Sequence, residues 1–170
     1  MIRRISERLH REDKGFTLIE LMVVVLIIAI LIAIAIPTFL GARKRAQDRA
    51  AQANLRQTIT AAKTVFTDNE SYLDATVTKL TAGEPAITFV DSGSSSDGPP
   101  KVSVNSTDKD HFYAAAFSKA NKCWFVRDVT TTATPADAGT QWAVTDPGTN
   151  TTCTAASAPA TGWTKDLGTL

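Results

Sequence analysis

Hydrophobic positions crowd into one stretch near the start of the chain. From Phe16 to Ile36 the sequence reads FTLIELMVVVLIIAILIAIAI, 21 residues in which Glu20 is the only charge. An α-helix of that length rises roughly 32 Å, close to the ~30 Å hydrocarbon core of a bilayer. Apolar side chains surround such a helix on all sides, unlike the one-sided helix of a soluble core. It reads as a transmembrane span. The run exceeds the roughly 7–15 residues of a cleaved secretory apolar region. Its Ala33-Ile34-Ala35 triplet lies inside the run rather than after it, which disfavours conventional signal-peptide cleavage.

Beyond Pro37 the pattern changes to a one-sided helix. Residues 43–66 are rich in Ala, Gln and Arg, all good helix formers, with no Gly or Pro. Leu55, Ile59, Ala62 and Phe66 recur at helical spacing and form a narrow apolar stripe suited to packing on a sheet. Pro37 has no N–H to donate to the carbonyl of Ala33, so the helix should loosen or kink there. Because helical patterning resumes after it, a kink within one long helix is preferred over an end at Pro37. Asp68-Asn69 supplies the stop, and the helix from Phe16 to Phe66 would extend about 75 Å.

After the helix the signals turn to strands. Ala86–Val90 and Lys101–Ser106 are short β-like runs separated by the Ser/Gly/Pro-rich stretch Asp91–Pro100. His111–Ser118 and Cys123–Val129 read as a hairpin joined through Lys119-Ala120-Asn121-Lys122, with Gln141–Val144 as a last strand. The fold class is α+β: a long helix, apolar then amphipathic, packed on a small antiparallel sheet.

Charge sharpens this division. The whole chain of 170 residues carries a net charge of +1, which excludes a strongly basic nucleic-acid binder as the default. That value is a cancellation. Residues 43–63 carry a net +5 and residues 64–170 a net −5. The cluster Arg43, Lys44, Arg45 and Arg49, next to the span, suits either anionic lipid headgroups or acidic surfaces of a neighbouring copy. DNA binding through it is only weakly supported, since no aromatic platform accompanies it. Basic residues flank the span on both sides, so charge only leans towards a cytoplasmic N-terminus.

Signals for catalysis, metal or cofactor are sparse. Gly93-Ser94-Ser95-Ser96-Asp97 breaks the nucleophile-elbow pattern at its last position, and no two glycines are spaced as a GxGxxG requires. Asp108-Lys109-Asp110 falls short of a calcium loop, and His111 reads as a surface or strand-edge residue. Asn69, Asn105 and Asn150 each begin a glycosylation sequon. A carboxylate in an apolar span is unfavourable, so Glu20 is either an interfacial charge near the helix dipole or a group awaiting a partner.

The surrounding residues supply a context for Glu20. Lys14-Gly15-Phe16-Thr17-Leu18-Ile19-Glu20, followed by the apolar run and Pro37, resembles the N-terminal region of type IV pilins and the related pseudopilins. The resemblance implies a pilin-like fold and cleavage after Gly15 by a prepilin peptidase that also N-methylates Phe16. It implies assembly through Glu20, which would neutralise the Phe16 amine of a neighbouring subunit, and a role for Pro37 in the helix that lines the filament. Residue 29 is Ala where many relatives place a helix-loosening Gly. The implied organisation is a cleaved leader over 1–15, a membrane and filament-core helix over 16–42, and a head over 43–170. For an exported head, Cys123 and Cys153 are expected to pair, as such proteins often close a C-terminal loop; two isolated thiols are the alternative.

The expected function is a structural subunit of a surface filament serving motility, adhesion or DNA uptake, with no enzymatic activity and no cofactor. Its partners would be further subunits, the peptidase, the inner-membrane assembly machinery and, before assembly, membrane lipid. It would be single-pass in the cytoplasmic membrane first and extracellular afterwards. The rival is a pseudopilin of a type II secretion or competence machine. A membrane-anchored binding domain that never polymerises is a third class.

Overall fold

The computed structural model describes residues 15–106, 108–130, 137–146 and 152–170. The leader through Lys14, Thr107, and the Asn150-Thr151 part of one sequon lie outside these. Two units are distinguished, Met1–Ala42 and Arg43–Leu170. The helix α1 (Leu18–Asn69) contributes its first part to the former and the rest to the latter.

In the first unit, the described residues form the start of α1, and every large apolar side chain from Phe16 to Leu40 is exposed. The helix begins where Thr17 can cap it and continues through Pro37 without a break. Next to the donor lost at Pro37, the Thr38 hydroxyl donates to the carbonyl of Ile34 at 3.0 Å. This stretch is long and apolar enough to cross a membrane.

The second unit is built around the amphipathic part of α1 and a five-stranded sheet. The strands are β1 (Thr88–Asp91), β2 (Lys101–Asn105), β3 (His111–Ser118), β4 (Lys122–Val129) and β5 (Gly139–Thr145), in sheet order β1-β2-β3-β4-β5. Ala51, Leu55, Ile59 and Ala62 form the buried stripe of α1, while Phe66 is only partly buried against it. They pack with Val102, Val104, Phe112, Ala114, Ala116, Trp124, Val126 and Trp142, the inward positions of the strands. Alternation along β3 and β4 sets this face, as a period of two requires.

Three pairings are antiparallel, but β1 runs parallel to β2, with Thr88 beside Lys101 and Asp91 beside Val104. The sheet is thus mostly antiparallel, as expected, with a single parallel pairing at this edge. The physical reason is the nine-residue connection 92–100. It is too long for a tight turn, and it needs to retrace only a four-residue strand. Gly98 helps this connection turn: its φ is +137°, and a Cβ there would meet the Lys119 side chain at 3.1 Å. β1 also starts two residues later than expected, because the Ile87 N–H is drawn into a turn with the Glu84 carbonyl at 3.2 Å.

A short helix, α2 (Val77–Gly83), was not evident from the pattern. Thr76 caps it, and its one buried residue is Leu80. The β3–β4 turn uses Asn121 at φ +67°, a left-handed conformation that Asn tolerates.

A second, smaller apolar cluster lies on the sheet face away from α1. It joins Ala115, Phe125 and Ala143 to the Cys123–Cys153 disulfide, whose Cα atoms are 5.5 Å apart. Backbone pairing of Ser96 with Cys153, and of Trp142 with Thr164 along the outer edge of β5, ties the C-terminal stretch to the sheet unit.

Candidate functional site

The residues singled out near the N-terminus fall within one turn of the start of α1. Thr17 is its N-cap. The Thr17 hydroxyl accepts from the Glu20 N–H at 3.3 Å, while Glu20 Oε2 accepts from the Thr17 N–H at 2.9 Å and from its hydroxyl at 2.7 Å. This is a reciprocal capping box, which satisfies backbone donors that a helix start otherwise leaves unpaired. The Thr-x-x-Glu spacing ahead of an apolar run was the signal that could have revealed it. The carboxylate thus has local partners even though no basic side chain lies within its turn.

Gly15 and Phe16 precede this box. Phe16 is 88% exposed. A Cβ built on Gly15 would meet nothing within 4 Å, so the fold itself makes no steric demand for glycine there. Pro37 lies inside α1, on an exposed surface.

In the second unit the structure reveals polar anchors that sequence reasoning missed. Asp48, on α1, accepts hydrogen bonds at Oδ1 from the Ser118 hydroxyl at 2.6 Å and the Trp124 indole N–H at 3.2 Å. It locks the helix to β3 and β4, although it lies within the basic stretch. Arg43, Lys44, Arg45 and Arg49 beside it are exposed. Further along, Asp128 on β4 is buried. Its Oδ2 accepts from the Tyr72 hydroxyl at 2.6 Å, and its Oδ1 from Thr140 at 2.6 Å and Lys63 at 3.0 Å. Burial, and then the neighbouring Asp128 carboxylate, push the Tyr72 phenol well above its ordinary range.

His111 sits at the start of β3, and its Nδ1 is 3.0 Å from Asp108 Oδ2. The Asp110 N–H, bonded at 2.8 Å and aided by His111, holds the Asp108 carboxyl below its usual range. Ser96, from the Ser-rich loop, is buried and structural. Its hydroxyl donates to the Lys101 carbonyl at 2.6 Å and accepts from the Phe117 N–H at 2.9 Å. Asn69 ends α1 and is exposed, whereas Asn105 lies in β2.

Comparison with known proteins points to the same N-terminal segment. A family model described as the prokaryotic N-terminal methylation motif matches residues 10–36. The chain is 46% identical over 67 residues to the type IV major pilin protein PilA of Myxococcus xanthus, covering 39% of this chain and 30% of that protein. It is 47% identical over 62 residues to the type IV wide pilus major component PilA4 of Thermus thermophilus, covering 36% of this chain and 47% of that one. With the type II secretion system core protein G of Aeromonas hydrophila it shares 33% identity over 89 residues, 49% of this chain and 62% of the relative. The chain thus spans less than two thirds of each of these relatives. No solved structure matches the chain.

Proposed function

We propose that this chain, which carries the N-terminal methylation motif and resembles type IV major pilins, is a structural subunit of a type IV pilus. It is made as a membrane-anchored precursor, cut after Gly15, methylated on Phe16 and polymerised through α1. The observation that carries this reading is the register of Gly15, Phe16 and Glu20 at the head of a helix whose apolar side chains from Phe16 to Leu40 are all exposed. An exposed apolar surface of this extent needs another apolar environment. Lipid supplies it first and neighbouring α1 helices later.

The chemistry follows from those residues. Hydrolysis of the Gly15–Phe16 amide leaves a carboxylate on Gly15 and an amine on Phe16. Glycine before the scissile bond gives a peptidase close access to the backbone, consistent with the empty space around it. The new ammonium is costly in a low-dielectric filament core unless neutralised, and Glu20 of a neighbour supplies the countercharge. Methylation retains the positive charge. The capping box shelters Glu20 before that partner arrives. The exposed cations from Arg43 to Arg49 then lie at the headgroup level in the membrane and between heads in the filament.

A pseudopilin of a type II secretion machine is the second reading, favoured by the similarity to core protein G, which covers the largest share of any of the three relatives. Electron microscopy of cells with and without the gene separates the two. Long surface fibres lost on deletion, and restored by the intact gene, support the pilin; secretion loss with fibres unchanged supports the pseudopilin.

A further inference from the structure

The sheet face turned away from α1 carries a polar row that the disulfide-linked cluster does not use. Strand register sets Asn105 beside Tyr113, Tyr113 beside Arg127, and Arg127 beside Gln141, so one row crosses β2 to β5. The row two residues away, Ser103, Ala115, Phe125 and Ala143, is apolar but for its serine, and most of it forms the floor beneath the disulfide. Between the polar row and the 155–160 stretch lies a cavity of about 270 Å³. Asn105, Tyr113 and Arg127 line one side, and alanines with Pro159 line the other.

Arg127 is held in place rather than free to wander. Its Nε and Nη2 donate to Gln141 Oε1 at 2.8 and 2.6 Å, and its guanidinium lies 4.6 Å from the ring centre of Trp163. The Trp163 indole is fixed by donating to the Pro159 carbonyl at 2.8 Å, and its ring meets Tyr113 edge-on. The nearest carboxylate oxygen among the described residues belongs to Asp137, at 3.7 Å and half exposed, beyond hydrogen-bonding reach. Arg127 therefore presents to the cavity a mostly sheltered charge whose ion pair with Asp137 is long and half exposed to solvent. Among the described residues the Tyr113 hydroxyl has no hydrogen-bond partner.

We propose that this cavity binds one sugar residue bearing a carboxylate. A single fixed guanidinium, partly offset by Asp137, suits a monoanionic carboxylate better than a phosphate dianion. The Tyr113 hydroxyl supplies a polar group for ring hydroxyls, and the Tyr113 ring offers an apolar surface for the sugar's C–H groups. The size fits one compact ring rather than a protein segment. The site belongs to the head and is independent of whether the chain polymerises.

Equilibrium binding of radiolabelled methyl glucuronide to the detergent-solubilised full chain tests this, with methyl glucoside and acetate as competitors. Saturable binding to one site per chain is expected, with both competitors at least about tenfold weaker than unlabelled glucuronide. Arg127→Gln should weaken binding about tenfold and Tyr113→Phe about threefold, with near-ultraviolet dichroism unchanged, while Arg56→Gln should have no effect. If Arg127→Gln disturbs the fold, Tyr113→Phe decides alone. No saturable binding, equal competition by either competitor, or full affinity in Tyr113→Phe would overturn the assignment.

Discussion

Tyr72→Phe isolates one buried interaction with little other disturbance. The ring of Tyr72 packs 4.7 Å from Phe66 and 5.6 Å from Phe112, and phenylalanine preserves both contacts. Only the hydroxyl is lost, and with it the 2.6 Å hydrogen bond to Asp128 Oδ2. Lys63 and Thr140 both engage Oδ1, so among the described residues Oδ2 is left without a partner. A hydrogen bond to a charged group contributes about 1.5–3 kcal/mol, and a buried acceptor left unpaired places the expected loss towards the upper end. The pH dependence is a second signature. Unfolded, the phenol ionises near pH 10; folded, burial and Asp128 raise its pKa. The unfolded state therefore releases its proton first. Stability from Tyr72 is complete below about pH 10 and falls by about 1.4 kcal/mol per pH unit above it. Guanidinium unfolding of the detergent-solubilised chain, followed by tryptophan fluorescence, should show the variant weaker at pH 7. The gap should narrow once pH exceeds about 10. An equal stability at pH 7, or a gap that stays constant to about pH 11, would refute the reasoning.

Three further outcomes follow from other parts of the molecule. Asp48→Ala leaves the Ser118 hydroxyl and Trp124 indole without their acceptor and should cost about 2 kcal/mol by the same unfolding assay. Cys153→Ser opens the loop across 30 positions and should lower stability by about 3–4 kcal/mol in the chain-entropy model, matched by reduction of the native chain. Glu20→Leu should leave membrane insertion unchanged but sharply reduce incorporation into filaments, measured by fractionation and by immunoblotting of sheared fibres; unchanged incorporation removes its proposed assembly role.

What could be read in advance divides along a physical line. The long helix, the β3 boundaries and most of β4 carry strong local periodicity, and those positions agree with the structure. The parallel β1–β2 edge does not, because alternation reports which face is buried but not which way a neighbour runs. α2 escaped because seven residues with one buried leucine hold too little pattern. The polar anchors escaped for a different reason. Tyr72 meets Asp128 across 56 positions, and Asp48 meets Trp124 across 76, separations at which no spacing rule operates. By contrast, Thr17 and Glu20 are three positions apart, and their capping box was legible though not recognised.

In the proposed function this chain works as a processed filament subunit beginning at Phe16. Intact-mass analysis of the principal protein in fibres sheared from the producing cells tests it most directly. The expected species is this chain lacking residues 1–15 and carrying one added methyl group at its new amino terminus. A chain that retains its first 15 residues, or fibres built from a different protein, would contradict it.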